Sequence, residues 1–292
     1  MWNLHILGFD FYFLFYNFFL YCFFGWIYES CLVSFQKKTW VNRGFLNGPV
    51  IPIYGAGATV VYVLIAPFQE NAVLVFVAGM MIATLMEYVT SYVMEQLFHA
   101  KWWDYSNYKF NIKGRICLVA SLFWGFLSIL MTEILQPFMS GLIEKIPRQI
   151  GEIAGIVIGI LFLSDLIVTV IYTMQLDKRL SDLAKIREEL TDYLETTKLY
   201  ETTEEIRSRL EELSLGSISE NIKEQWDAKV AALEARFETK EELENKVKSF
   251  VSRYQSKTEL RNVIQKRIVK AFPTMKSTRS EKIIEDIRKK RK

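Results

Sequence analysis

Five stretches of this chain are apolar over lengths that match the thickness of a bilayer, and this limits the fold more than any other property. A helix needs about 20 mostly apolar residues to cross the hydrocarbon. The stretches are Phe11–Phe35, Val50–Phe68, Ala72–Leu97, Ile116–Phe138 and Ile150–Tyr172, of which the second is the shortest. The expected fold class is all-α: a polytopic membrane protein with about five transmembrane helices and a C-terminal helical, coiled-coil-like region.

Charge divides the chain. Residues 1–176 hold nine Lys/Arg and ten Asp/Glu, against 27 and 23 in residues 177–292. That break predicts two domains, a transmembrane helical domain over 1–176 and an amphipathic helical tail over 177–292. The first apolar stretch is not expected to be a signal peptide, since it lacks a basic leader and is too long. Thirteen of positions 9–28 are aromatic, which suits an interfacial or lipid-facing segment.

Basic residues set the expected orientation. Lys37, Lys38 and Arg43 lie between spans one and two, and Lys101, Lys109, Lys113 and Arg115 between spans three and four. The tail opens on Lys178-Arg179, whereas only Lys145 and Arg148 fall on the opposite side. The positive-inside rule then puts the N-terminus outside and the tail in the cytoplasm of a multi-pass protein of the cell membrane. Cys22, Cys31 and Cys117 lie within or at the ends of spans without metal-ligand spacing, and read as small apolar fillers.

Beyond Leu176 the apolar residues take helical spacing. Leu180, Leu183, Ile186, Leu190 and Leu194 form one stripe, continued by Ile206, Leu210 and Leu213. Further stripes are Ile222, Trp226, Val230, Leu233 and Phe237; then Leu243, Val247, Phe250 and Tyr254; then Leu260, Ile264 and Ile268. Thr239 with Glu242 reads as a capping box, and Pro273 as a stop. The tail reads either as functional, docking a cytoplasmic partner or binding anionic lipid through its basic end, Arg288–Lys292, or as a solvated helical appendage. Acidic and basic residues alternate in it, so nucleic acid is not an expected partner.

Ionisable residues inside spans are costly and usually face the bundle interior. Glu29 closes span one; Thr84, Glu87, Ser91, Glu95 and His99 recur on one face of span three; Asp165 interrupts span five. With the expected orientation these acids gather at the cytoplasmic half, beside Arg43, Asp104 and Arg115. The candidate site is therefore a polar cavity open to the cytoplasm, built from Glu29, Arg43, Asn47, Glu87, Ser91, Glu95, Asp104 and Arg115. The alternative is a set of structural ion pairs that fix helix register.

The stretch "RGFLNGPVIPIYGAGA" (Arg43–Ala58) lies at the same face. Prolines are tolerated at a helix start, and Gly55 and Gly57 let helices approach. A helix start also favours anions, so Gly48, Pro49, Tyr54 and Gly55 form a candidate anion- or headgroup-binding rim. Small residues on span four (Cys117, Ser121, Gly125, Ser128, Thr132) and span five (Gly151, Gly155, Gly159) suit close helix packing. The aromatic loop from His99 to Leu118 reads either as an interfacial cap or as a wall of the cavity. The chain has no phosphate-binding loop of the G-x-x-x-x-G-K-[ST] type and no H-E-x-x-H, so neither a cofactor nor a metal is expected. No catalytic signature stands out, and an ATP-driven role would need a separate ATPase chain.

The blocks "FFGWIYES", "RGFLNGPVIPIYGAGA", "EYVTSYVMEQLF", "WWDYSNYKFNIKGRICL" and "SLFWG" resemble the signature of the type IV, or CmpB-like, ABC-transporter permease family. "RIVKAFPTMKS" is similar to a segment at the end of longer bacterial members. The resemblance implies a permease-like subunit served by an ATPase partner, and carries no catalytic residues. Two other functions stay open: an intramembrane lipid-headgroup binder or enzyme, and a membrane scaffold acting through its tail. Membrane lipids are expected partners in each case, and a homo-oligomer is compatible with all three.

Overall fold

The computed structural model describes residues 2–196, 240–258, 262–272 and 275–277. The described chain is mostly helical. It divides into two compact units, one of Met1–Met174 with Ile264–Met275, the other of Gln175–Val263 with Lys276–Lys292.

The first unit opens on an antiparallel hairpin, β1 (His5–Ile6) and β2 (Phe9–Asp10). Asp10 then caps α1 (Phe11–Lys37) by accepting from the Tyr12 amide. Lys38 ends that helix in the left-handed region, φ 52°. After an irregular segment comes α2 (Pro52–Ile65), continued by a 3₁₀ turn, Ala66–Phe68. Asn71 caps α3 (Ala72–Phe98) by accepting from both the Val73 and Leu74 amides. Next are α4 (Leu118–Leu130), a π-helical turn over Met131–Leu135, and α5 (Gln136–Glu144). Pro137 supplies a cause for the wide turn: its ring excludes the carbonyl four residues back and it has no N–H to donate. Finally α6 runs from Arg148 to Thr196.

Four of these segments are long and apolar enough to cross a membrane: Phe11–Lys37, Ala72–Phe98, Leu118–Glu144 and Arg148–Leu190. The second expected span falls short of that length, its apolar helix covering Pro52–Phe68. The residues just before it are committed elsewhere. The Val50 amide turns back to the Gly48 carbonyl, and the Ile51 amide donates to the Cys22 carbonyl of α1.

Helices α1 and α6 start together and run parallel. The Tyr16 hydroxyl donates to the Gly151 carbonyl (2.6 Å), and further along Phe19 meets Phe162 edge to face at 5.3 Å. Tyr21, Val61, Ile65, Val75, Met131 and Met139 form a buried cluster drawn from α1, α2, α3, the π turn and α5. A polar thread runs beside it: Tyr21 Oη donates to Gln136, Gln136 Nε2 to Asn17, and Asn17 Nδ2 to Thr59. Asn17 and Gln136 are 0% and 4% exposed, so this thread is needed to satisfy them. The expected small-residue contacts occur at Gly79 against Ser128, Gly125 against Phe76, and Gly151 and Gly155 against Tyr12 and Trp2.

In the second unit, α6 continues past the composition break at residue 177 without interruption. Leu176, Leu180, Leu183, Ile186 and Leu190 are all buried, as the stripe predicted. Helix α7 (Lys240–Thr258) lies antiparallel to this part of α6, with Lys257 on Asp182 (2.7 Å) and Arg253 on Glu189 (3.2 Å). Both pairs are exposed enough that each contributes less than about 1 kcal/mol. The Lys257 hydrogen bond, against the opposing cost of burial, holds the Asp182 carboxyl below its usual range. A depressed carboxyl contributes above its unfolded pKa and loses that contribution as pH falls through the folded value. Asp182→Asn should therefore shift thermal unfolding slightly at pH 7 and by progressively less as pH falls below the ordinary carboxylate range, which circular dichroism of the full chain would measure.

Helix α8 (Val263–Ala271) groups with the first unit and ends before Pro273. The stripes from Ile206 to Phe237, together with Thr239, Leu260, Pro273 and the basic end Arg288–Lys292, lie outside the described residues.

Candidate functional site

The irregular segment between α1 and α2 is folded inward, with Val41 and Leu46 at 2% and 0% exposure. Irregular backbone beside apolar helices is tolerated only where protein groups satisfy it. Here side chains from three helices do so. Ser34 and Ser30 of α1 accept from the Val41 and Arg43 amides. Asn42 bridges the loop, accepting from Trp26 Nε1 and the Gly44 amide and donating to the Asn47 carbonyl. From α6, Asp165 accepts from the Asn47 amide (3.2 Å), Asn47 Nδ2 (2.7 Å) and the Gly48 amide (2.7 Å). Thr169 joins the same group through Asn47 and Asp165.

Helix α8 closes the other side. Arg267 donates to Asn47 Oδ1 (3.0 Å), the Gly44 carbonyl (2.6 Å) and the Phe45 carbonyl (2.6 Å). Burial pulls the Arg267 pKa down, and the Asp165 charge opposes that pull. Its neighbour Phe272 lies under the Arg43 guanidinium (4.3 Å) and meets Trp102 edge to face (4.7 Å). The loop is thus clamped between an acid of α6 and a cation of α8.

The expected acids fall into separate groups. Glu29 accepts from the Tyr54 hydroxyl (2.8 Å) and pairs with Arg43 at 3.8 Å. Burial lowers the Arg43 pKa and the Glu29 charge raises it. Glu87, 5% exposed, accepts from Trp124 Nε1 (2.9 Å) and from the Tyr105 hydroxyl (3.1 Å). Burial first, and the Glu87 charge second, push the Tyr105 hydroxyl above its ordinary range. The Tyr54 and Trp124 rings meet edge to face at 6.2 Å, which joins these two groups into one cluster. Ser91 is buried one turn beyond Glu87.

Glu95 and Arg115 form their own bidentate pair, with Arg115 Nη2 and Nε on Oε2 at 2.7 and 3.2 Å. The guanidinium also lies over Tyr88 and Tyr92. Burial acts against the Arg115 charge, but Glu95 more than offsets it and the pKa is raised.

Asp104 joins none of these groups through its carboxylate contacts to the Ser106 amide and hydroxyl, which fold the loop. Gly48 sits against Asp165, and Pro49 precedes the helix start rather than forming it. The amide of Gly48, a residue of the expected anion rim, donates to the chain's own Asp165 carboxylate, as does the amide of Asn47. Gly55 serves close packing of α2 on α1, whereas nothing lies within 4 Å of a Cβ placed at Gly57.

The aromatic loop also divides. Trp102 is 2% exposed and packs on Phe45, Phe98 and Phe272, while Trp103 Nε1 donates to the Arg115 carbonyl. With Tyr105 on Glu87, these three aromatics face protein, whereas Tyr108 is well exposed.

Asp165 stood out in the sequence as an interruption of a span but found no partner there. Arg267 was missed altogether. The signal that could have found it is that it opens "RIVKAFPTMKS", the tail segment with a family resemblance.

Comparison with known proteins gives one match. A family model described as "Putative ABC-transporter type IV" matches residues 16–170, more than half of the chain. That range holds every candidate residue above except Arg267 and Phe272. Searches of curated proteins and of solved structures found no significant match.

Proposed function

We propose that this chain, which belongs to the type IV ABC-transporter family, is its permease-like membrane subunit, with a solute site built around Glu87. In this reading the N-terminus lies outside the cell membrane and the helical tail in the cytoplasm, where a separate ATPase chain docks on residues 177–292. Glu29, Arg43, Tyr54, Glu87, Tyr105 and Trp124 line the site. Glu95–Arg115 and the Asn47–Asp165–Arg267 clamp hold its walls.

The single observation that supports this most is the environment of Glu87. It lies within a helix long and apolar enough to span a membrane and is 5% exposed. Its two carboxylate oxygens accept from a phenol and an indole, both neutral donors. A structural acid at that depth is better served by a cation, as Glu95 is by Arg115. A span acid held by neutral donors rather than by a cation reads as a functional group rather than a structural ion pair.

The test has two arms. Purification from native membranes with mass spectrometry should recover an ATPase chain in near-stoichiometric amount. Glu87→Gln keeps the side-chain shape, its oxygen accepting from Trp124 Nε1 while its amide donates to the Tyr105 oxygen, and should abolish the deletion-complementing activity at normal membrane abundance. A fully active Glu87→Gln protein overturns the site, and recovery without an ATPase overturns the ABC form of the function.

A further inference from the structure

The second half of the aromatic loop has no role in the cluster around Glu87. It forms a hairpin, β3 (Asn111–Ile112) and β4 (Ile116–Cys117), with Asn111 opposite Cys117 and Ile112 opposite Ile116. Lys113 and Gly114 turn it, at φ 53° and 70°. A Cβ at Gly114 would lie 2.6 Å from Asp104 Oδ1, so both its φ and its surroundings favour glycine. Asn111 ties the hairpin to the preceding turn, donating to the Ser106 and Tyr108 carbonyls and accepting from the Gly114 amide.

This tied scaffold displays large apolar side chains outward. Phe110 is 79% exposed, Ile112 53% and Tyr108 51%. Phe110 moreover holds φ 55°, a backbone region that bulky residues avoid. Lys109 and Lys113 alternate with these side chains and are themselves exposed. The hairpin leads directly into α4, whose first residues, Leu118 and Val119, are 45% and 62% exposed. The apolar display therefore continues into the outer surface of a helix long enough to span.

We propose that the 108–113 hairpin is a membrane wedge: Phe110 and Ile112 enter the acyl boundary of the adjoining leaflet, and Lys109 and Lys113 bind anionic phospholipid headgroups. The occupant follows from two features. Apolar and cationic residues interleaved at the end of a span match the boundary between acyl chains and headgroups. A basic pair beside it draws anionic lipid. Tyr108 fits the same depth, as a ring with a polar tip.

The proposal is tested on the full chain in lipid nanodiscs. Phe110→Cys, made with Cys31→Ser because Cys22 and Cys117 are buried, is labelled with an environment-sensitive fluorophore. One lipid composition is phosphatidylcholine alone and the other contains phosphatidylglycerol. Lipids brominated near the headgroup should quench the label at least several-fold more than aqueous iodide does. Lys109→Gln/Lys113→Gln should remove the gain in quenching that phosphatidylglycerol gives. A label open to iodide and unaffected by brominated lipid overturns the wedge. Equal quenching in both lipids, or a lysine-independent gain, overturns the headgroup contact and with it the proposal. A second variant, Phe110→Ser, should lower retention of phosphatidylglycerol during detergent exchange while thermal unfolding in detergent stays unchanged.

Discussion

Asp165→Ala should be among the more destabilising single substitutions in the membrane unit, by about 2–4 kcal/mol, because it leaves several donors of a half-buried loop without their acceptor. The carboxylate is the acceptor for the Asn47 and Gly48 amides and for Asn47 Nδ2. Its loss leaves those donors in a segment with no helix to absorb them, and leaves Arg267 beside them without its opposing charge. Asp165→Asn should cost less, since the amide oxygen still accepts. Arg267→Ala removes three hydrogen bonds to the same loop and should cost about 2–4 kcal/mol by the same reasoning. The double variant should cost clearly less than the sum, because each single change strands the other's partners. Thermal unfolding of the four proteins in one detergent gives the cycle, and strictly additive losses would show that the two residues do not act on one loop. Limited proteolysis adds a second readout: Arg267→Ala should open residues 38–48 to cleavage before the rest of the membrane unit.

That clamp marks where the sequence stopped being legible. The long helices could be read because hydrophobic length is a local property, and α1, α3 and α6 begin or end within a few residues of the expected limits. Helix α2 also falls within its expected range, and starts two residues late because an apolar run does not reveal where its amides go. Val50 and Ile51 look like span residues, yet their amides are held by the Gly48 and Cys22 carbonyls. The Glu95–Arg115 pair was within reach of residue counting, since both were placed at one face. Arg267 was not, because it is 220 residues from Asn47 and looks like any surface cation on an amphipathic stripe. The aromatic loop shows the same limit: composition gave interfacial character, but only the fold separates Trp102 and Tyr105, which pack inward, from Phe110 and Ile112, which do not.

Gly55→Ala should cost about 3 kcal/mol or prevent assembly of α2 on α1, while Gly57→Ala two residues away should be neutral or stabilising by up to about 1 kcal/mol. Both glycines lie within α2, so both substitutions gain the same helix propensity, and only the surroundings differ. A Cβ at position 55 would lie 2.4 Å from Cys22 Sγ and 2.4 Å from the Phe18 carbonyl oxygen of α1. The carbonyl belongs to a helix backbone and cannot swing aside, so the helices must separate. A Cβ at position 57 meets nothing within 4 Å. Separation at Gly55 would reach the proposed site, because Tyr54 is the next residue and donates to Glu29. Gly25→Ala attacks the same contact from α1, its Cβ falling 2.4 Å from Tyr54 Cγ. The contacts include Tyr54 Cβ at 2.7 Å, which no side-chain rotation moves, so here too the helices must separate and the cost should be comparable. If the site works as proposed, Gly25→Ala should therefore lose both stability and activity, as Gly55→Ala does, and Gly57→Ala should lose neither. Unfolding midpoints measured beside complementation for the three variants decide it; equal losses at positions 55 and 57 would mean that α1 and α2 do not meet at Gly55.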